Sequence, residues 1–164
     1  DTLARLFEAA RWAPSSYNEQ PWRFLYFHRG RDEGFHQLVE CLSPGNQKWA
    51  AGAAVLMLAA TSTRFQRNGK PNRHAFHDVG LAMANLSLQA TELDLYVHQM
   101  AGFDPDQAGR TFQLPEHIAP VTVTALGYLA DPSNLSEEKR EQEYRARSRK
   151  PQAEFVFRAR WGGQ

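Results

Sequence analysis

Apolar and polar positions along this chain form patterns that predict helices and strands in turn. Apolar residues at helical spacing predict a first helix, which the Ala-Pro pair at 13–14 ends. A continuous apolar run over 53–60 predicts a strand that is buried on both faces. The remaining predicted strands cover 22–27, 121–129 and 155–157, and the remaining predicted helices cover 35–42, 77–95 and 137–147. This order indicates one sheet with helices packed against it, an α/β or α+β domain.

The predicted helix over 77–95 carries two apolar stripes. One comprises Val79, Met83, Leu86, Ala90 and Leu93, and the other comprises Leu81, Leu88 and Leu95. A helix that is apolar on more than one side normally lies in the centre of a large core. A chain of 164 residues can supply such a setting by dimerising, so we expect a dimer.

Composition and charge describe an ordinary globular protein and point to no particular partner. Hydrophobic residues make up 42% and charged residues 23%, and the formal net charge is +1. Cys41 is the only cysteine, which excludes a disulfide within the chain and a metal site built from several thiolates, and it favours a cytoplasmic location. The longest apolar stretch, over 50–60, is too short to span a bilayer, so we expect no membrane partner.

Several familiar catalytic motifs are absent from the sequence. It contains neither the Gly-x-Gly-x-x-Gly turn nor the phosphate loop that ends in Gly-Lys-Ser/Thr, and it has no zinc-protease helix or nucleophile elbow. His74, His77 and Asp78 have a spacing that could bind a metal from one helical face. A metal site needs three or four convergent ligands, so we favour an ordinary polar helix start and expect no metal.

The segment over 13–22 has a more specific composition. Its sequence is Ala-Pro-Ser-Ser-Tyr-Asn-Glu-Gln-Pro-Trp, between a predicted helix and a predicted strand. Two prolines stiffen it, and its hydroxyl and amide groups could bind a polyhydroxylated or heteroaromatic ligand at little entropic cost. A turn that merely caps the helix would have a similar composition.

Residues 8–24 resemble the signature of the nitroreductase family around its Pro-Ser-Ser-x-Asn-x-Gln-Pro-Trp core. Three later stretches, over 100–104, 126–128 and 147–151, follow in the family's order, so the resemblance covers almost the whole chain. It implies one domain over 1–164 with an α+β fold, a three-layer sandwich. Two such subunits are expected to intertwine in a homodimer. Two FMN molecules then lie in the subunit interface.

The resemblance also implies which residues contact FMN. Pro14, Ser15, Ser16 and Asn18 are expected to approach the ribityl chain and ring from one subunit, with Gln20 as a further candidate. Ala101 and Gly102 are expected beside the flavin N5, where a backbone N–H can bond the atom that accepts hydride. Relatives carry Glu or Gly where this chain has Ala101, so the expected role there belongs to the backbone.

Arg147 and Arg149 are implied to bind the FMN phosphate or the pyrimidine edge of the ring. Guanidinium matches phosphate in a bidentate way and stays charged at any working pH. Taken alone, the basic run over 145–150 would rather suggest a helix end in solvent or nucleic-acid binding. The net charge near zero and the acidic residues just upstream disfavour nucleic acid as a partner. Those acids are Glu137, Glu138, Glu141 and Glu143.

The function implied by the resemblance is that of an FMN-dependent oxidoreductase acting as a homodimer. Hydride would pass from NADH or NADPH to the flavin, and then by a ping-pong mechanism to a nitroaromatic, quinone or similar small acceptor. No catalytic acid or base is required, and we expect substrate choice to depend on the polar surface loop and helix start over 64–77 and on the region after Phe103. The alternatives are a flavin-binding or cofactor-processing protein of the same fold, and a non-enzymatic interaction module that uses residues 137–150.

Family members carry an Arg-x-Ser-x-Arg segment before the first matched helix. This chain begins at Asp1 without methionine or that segment, so we expect N-terminal sequence to be missing. Losing two charged contacts to FMN would weaken its binding about a hundredfold or more.

Overall fold

The structure is a computed structural model that describes residues 2–163, so Asp1 lies outside the described part. It divides into two compact units, one up to Leu129 and one from Ala130 onward. The expectation of a single domain over 1–164 stays a prediction.

The first unit is built on a four-stranded sheet. Its strands are β1 (Trp22–His28), β2 (Val55–Ser62), β3 (Tyr96–Met100) and β4 (Ile118–Gly127). They lie in the order β1-β2-β4-β3, and each pairs with its neighbours in antiparallel fashion. The register between β2 and β4 shifts between Ala59 and Ala60, where Ala60 lies opposite Pro120 of β4. A bulge suits this position because proline has no N–H to give to the ladder.

Helices cover both faces of this sheet. They are α1 (Thr2–Arg11), α2 (Gly34–Glu40), α3 (Pro44–Ala50), α4 (Ala75–Glu92) and α5 (Pro105–Thr111). One core joins α1 and α4 to one face of β2, and a second core joins α2, α3 and α5 to the other face. All eight residues of β2 are buried. The predicted α+β fold with three layers and the central buried strand are therefore confirmed.

Helix α4 begins and ends earlier than the predicted 77–95, and it buries one of the two apolar stripes. Asp94, at φ +56°, takes the chain out of the helix, and the Leu95 N–H bonds back to the Ala90 carbonyl at 2.9 Å. Leu95 is therefore buried beyond the helix rather than on it. Leu88 is 72% exposed within one protomer.

Three elements were not predicted. The Ser-Pro-Gly sequence at 43–45 was interpreted as a helix end, but Pro44 begins α3, because proline suits the first turn of a helix. Asp104 caps α5 by accepting a hydrogen bond from the Gln107 N–H at 2.9 Å. Strand β3 has little apolar alternation and is mostly exposed, so its sequence carries a weak signal.

The second unit contains the predicted helix as α6 (Glu137–Tyr144), which begins where predicted after its cap Ser136 but ends before the predicted 147. Residues 155–157 do not form the predicted strand; they follow a short 3-10 turn over Gln152–Glu154. A strand needs a partner for its backbone groups, and these residues pair with no strand in the described part of the chain. Among residues 2–163 no helix has the length and apolarity needed to cross a bilayer.

The double burial of β2 predicts a large cost for a cavity there. Leu58→Ala should lower the free energy of unfolding by about 2–5 kcal/mol, because Leu58 is fully buried and its neighbours cannot collapse onto the space. Leu58→Met keeps the volume and should cost less than about 1.5 kcal/mol. Urea unfolding of both variants is the measurement, and equal losses would contradict this account of the core.

Candidate functional site

The loop between α1 and β1 has an unusual backbone conformation. Tyr17 and Asn18 both have φ +55°, and Gln20 has φ +50°. Residues other than glycine are sterically disfavoured in this left-handed region, so the surroundings must hold the loop in place. Backbone strain of this kind is common at binding sites.

Two side chains hold the loop. The Ser15 hydroxyl accepts the Gln20 N–H at 2.9 Å, which closes the loop on itself. The Asp78 carboxylate accepts the Ser16 N–H at 3.0 Å and ties the loop to the first turn of α4. Asp78 is only 2% exposed, and an acid at a helix N-terminus is stabilised by the helix dipole. The loop is therefore fixed to a rigid helix.

The polar residues predicted as an ordinary helix start take part in this arrangement. His74, His77 and Asp78 line an open cavity of about 310 Å³ together with Pro14, Ser15, Ser16 and Leu81. Within residues 2–163 no group of three or more His, Cys, Asp or Glu side chains is arranged to hold a metal ion. The Asp78 carboxylate instead serves the loop, a role that sequence reasoning missed. An acid in the first turn of a helix was the available signal.

The second predicted contact region follows β3. Ala101 and Gly102 are exposed, and the Gly102 carbonyl accepts hydrogen bonds from the Ser43 N–H at 2.9 Å and the Asn46 amide at 3.0 Å. The Gly102 N–H has no backbone acceptor in the described part of the chain. It is therefore available to a ligand. Ser43 and Asn46 lie at the start of the unpredicted α3, and no sequence pattern indicated them as site residues.

A side chain at Gly102 would require the side chains of Asn46 and Ser43 to shift. A Cβ atom there would lie 2.8 Å from Asn46 Nδ2 and 2.9 Å from Ser43 Oγ. The neighbouring Cys41 is buried, and burial raises the pKa of its thiol, so this thiol stays protonated and is a poor nucleophile. The region therefore offers backbone groups rather than a reactive side chain.

The two regions lie apart within one protomer. The loop precedes β1 and Gly102 follows β3, which are the two edge strands of the sheet. Three strand spacings separate these edges, about 14 Å. The loop contacts α4 in one helical layer, whereas Gly102 contacts α3 in the other. One protomer thus presents two separate halves of the predicted site.

The remaining predicted residues lie in the second unit. Arg147 and Arg149 are exposed, and one Arg149 amine donates to the Ser148 carbonyl at 2.7 Å. Neither guanidinium forms an ion pair with a carboxylate among residues 2–163. Both are therefore free to bind an anion, and their expected contact with the phosphate stays a prediction.

Known proteins resemble this chain over most of its length. Residues 1–40 and 30–128 match the model of the nitroreductase family. A Mycolicibacterium smegmatis protein of 15.4 kDa without an assigned activity is 33% identical over 147 residues, which is 85% of this chain and 97% of that protein. A Streptomyces coelicolor protein, named provisionally as an NADH dehydrogenase/NAD(P)H nitroreductase, is 30% identical and covers 80% of this chain and 73% of its own length.

Solved structures share the fold. A crystal structure described as an oxidoreductase containing FMN is 34% identical, with a TM-score of 0.89 over 99% of this chain and 83% of that one. A Desulfovibrio desulfuricans protein provisionally named a nitroreductase, in complex with FMN, is 26% identical with a TM-score of 0.71, over 94% of this chain and 81% of that one.

The contact between Asp78 and Ser16 predicts how the loop responds to mutation. Asp78→Ala leaves the Ser16 N–H without its acceptor and should lower the free energy of unfolding by about 1–3 kcal/mol. Asp78→Asn keeps an acceptor oxygen and should cost less, because only the charge assistance is lost. Urea unfolding and hydrogen exchange at the Ser16 amide measure both effects. Unchanged exchange at Ser16 in Asp78→Ala would refute the contact.

Proposed function

The chain belongs to the nitroreductase family of oxidoreductases, and we propose that it binds FMN and uses it to reduce a small acceptor with NADH or NADPH. The observation that carries the proposal is the strained loop over 14–20, held to α4 by Asp78 beside an open cavity. The FMN named for two solved relatives supports the choice of cofactor.

The groups available on this chain fit the chemistry of FMN. A flavin ring has neutral donors and acceptors, and its ribityl chain carries hydroxyls. The loop offers matching neutral groups, and we propose Pro14, Ser15, Ser16, Asn18 and Gln20 as its contacts. The phosphate needs cations, which the exposed Arg147 and Arg149 would supply.

Gly102 and Ala101 would hold the ring through their backbone. The free N–H of Gly102 can donate a hydrogen bond, and its carbonyl is fixed by Ser43 and Asn46. The Ala101 carbonyl, in the same peptide unit as this N–H, accepts the Phe103 N–H at 3.0 Å, so the backbone on both sides of the N–H is held. A donor fixed in this way can stabilise developing charge without reorganising.

FMN, when bound, would supply the redox chemistry in two successive half-reactions. NAD(P)H gives up two electrons and a proton, and the acceptor takes up these two electrons, this proton and one further proton from solvent. The chain itself needs no catalytic acid or base for this. Its loop would position the ring, and the open cavity beside Ser16 would give a small molecule access to the site. The acceptor would be a nitroaromatic, a quinone or a similar small molecule.

A homodimer would bring the two halves of the site together. Edge residues of one protomer that lie apart can meet those of a partner related by a two-fold axis. The groove between α1 and α4 exposes Trp12 by 71% and Leu88 by 72%. Hydrogen bonds from Arg11 and then Trp12 lower the pKa of Glu8 to about 2, so a charged Glu8 fixes the exposed indole at neutral pH. We propose this groove as part of the dimer interface.

Two measurements on the purified protein separate this function from its alternatives. Bound oxidised flavin gives a visible spectrum, and heat release followed by chromatography distinguishes FMN from FAD. Steady-state oxidation of NADH and NADPH with quinone and nitroaromatic acceptors then tests turnover. FMN binding without turnover would favour a cofactor-binding or cofactor-processing protein, whereas failure to bind any flavin would favour an interaction module. The cytoplasmic location stays a prediction.

Gly102→Val should impair the flavin site while the fold persists. The new side chain would displace the side chains of Asn46 and Ser43, so the Gly102 carbonyl would lose its bond from Asn46, and a branched group would stand beside the free N–H. We expect FMN to bind at least about tenfold more weakly, as for the loss of one strong hydrogen bond. Fluorescence titration of FMN measures this. Gly109→Val, where a Cβ meets nothing within 4 Å, is the control and should bind normally. Normal binding by both variants would remove Gly102 from the site.

Leu88→Glu should weaken the dimer. A charge buried in an apolar interface without a partner costs several kcal/mol of association energy, about a hundredfold or more in the dissociation constant. Arg31→Gln lowers the net charge equally, lies in the turn after β1 and should not change assembly. Sedimentation of the three proteins at micromolar concentration is the test. A folded wild-type monomer would contradict the dimer.

A further inference from the structure

The segment over 64–73, called here the basic loop, lies in the region on which we expect substrate choice to depend, and its sequence indicates which chemical group it would recognise. It carries four cations and no acidic residue: Arg64, Arg67, Lys70 and Arg73. All four side chains are exposed, and none forms an ion pair within residues 2–163. Four uncompensated cations on one short loop create a local positive potential that attracts anions.

The basic loop is an ordered turn. Arg64 pairs with Pro71 in an isolated bridge, and the Phe65 N–H donates to the Lys70 carbonyl at 2.8 Å. At its end the Asn72 N–H donates to the Thr63 carbonyl at 2.7 Å, and Asn72 Oδ1 accepts the His74 N–H at 3.1 Å. The backbone on both sides of Arg73 is thereby fixed.

The same loop is attached to the loop over 14–20. The Arg67 guanidinium lies 4.0 Å from the ring centroid of Tyr17, and the ring of Phe65 meets Tyr17 edge-on at 5.9 Å. The Gln66 N–H also donates to the Glu19 carboxylate. Its cations are therefore held at the rim of the proposed cofactor site rather than elsewhere on the surface.

Arg73 is joined to the cavity through its neighbour His74. Its Nε–H donates to His74 Nε2 at 3.3 Å, and His74 lines the cavity with Ser15 and Ser16. A guanidinium has five N–H donors, so its two terminal amines remain available. Two nearby carboxylates, Glu19 and Asp78, accept the Gln66 and Ser16 N–H groups, and these neutral donors do not cancel a carboxylate charge. The four cations of the basic loop outnumber these two carboxylates, so the rim has a net positive charge.

We propose that the basic loop makes the enzyme select NADPH over NADH by binding the 2′-phosphate of NADPH, chiefly through Arg73. This inference rests on the proposed function. The two donors differ only in that phosphate monoester, which carries a charge of about −1.5 to −2 at pH 7. Arginine binds such a group in a bidentate way, whereas an uncharged acceptor gains nothing from four cations.

The decisive experiment compares kcat/KM for NADPH and NADH on the FMN-loaded protein with a quinone acceptor. We expect wild type to prefer NADPH by at least about tenfold, the worth of one charged hydrogen bond. Arg73→Gln should remove most of this preference, because it should lower kcat/KM for NADPH and leave kcat/KM for NADH unchanged. Arg31→Gln, an equal charge change beyond the far end of β1, should keep the preference. A wild-type ratio of kcat/KM for NADPH to kcat/KM for NADH of one or less overturns the proposal. An equal loss of kcat/KM for both donors in Arg73→Gln also overturns it, because it means that Arg73 binds the diphosphate common to both.

A second readout needs no flavin and no turnover. Adenosine 2′,5′-bisphosphate and adenosine 5′-monophosphate are titrated into wild type and Arg73→Gln and followed by NMR. Tighter binding of the bisphosphate by wild type, and loss of that preference in Arg73→Gln, would support the inference. Equal binding of both nucleotides by wild type overturns it. Failure of the proposed function is separate: it would show as a protein whose flavin, if bound, is reduced by neither donor.

Discussion

Burial of β2 on both faces is the constraint on which the rest of the first unit depends. An eight-residue strand with no exposed residue must be covered by apolar side chains above and below. Helices α1 and α4 do this on one face, and α2, α3 and α5 on the other. This strand therefore carries no charged residue and leaves no surface for a ligand within the sheet, so binding groups must lie at the sheet edges or in the loops at the strand ends. The candidate binding groups lie there.

One buried carboxylate converts a core helix into a platform for such a loop. Asp78 lies in the first turn of α4, where the helix dipole favours its charge, and it accepts the Ser16 N–H. The neighbouring face of the same helix packs in the core through Val79 and Leu86. Because the loop is tied to the best-packed part of the unit, its strained backbone at Tyr17 and Asn18 can persist. Rigid support of this kind is what precise ligand binding requires.

Division of the proposed site between two sheet edges would give the proposed dimer a role in ligand binding. The loop over 14–20 offers side-chain hydroxyls and amides, whereas Gly102 offers a free backbone N–H held by Ser43 and Asn46. Neither half alone encloses a ligand. A second protomer would complete the walls, and the exposed Trp12 and Leu88 would then also be covered. Assembly and cofactor binding would on this view stabilise each other.

The sequence by itself determined the central buried strand, the α+β fold, the helices α1, α2, α4 and α6, and the family. These features follow from the spacing of nearby residues and from the signature over 8–24. Both are local patterns, which can be recognised within a single segment of the chain. Only the tertiary structure decided that Asp78 serves Ser16, 62 positions earlier, that Gly102 contacts Asn46, and that the basic loop lies on Tyr17. It also decided that 155–157 form no strand within the described chain. Contacts between distant residues depend on how whole elements pack, and no local pattern of side chains encodes that packing.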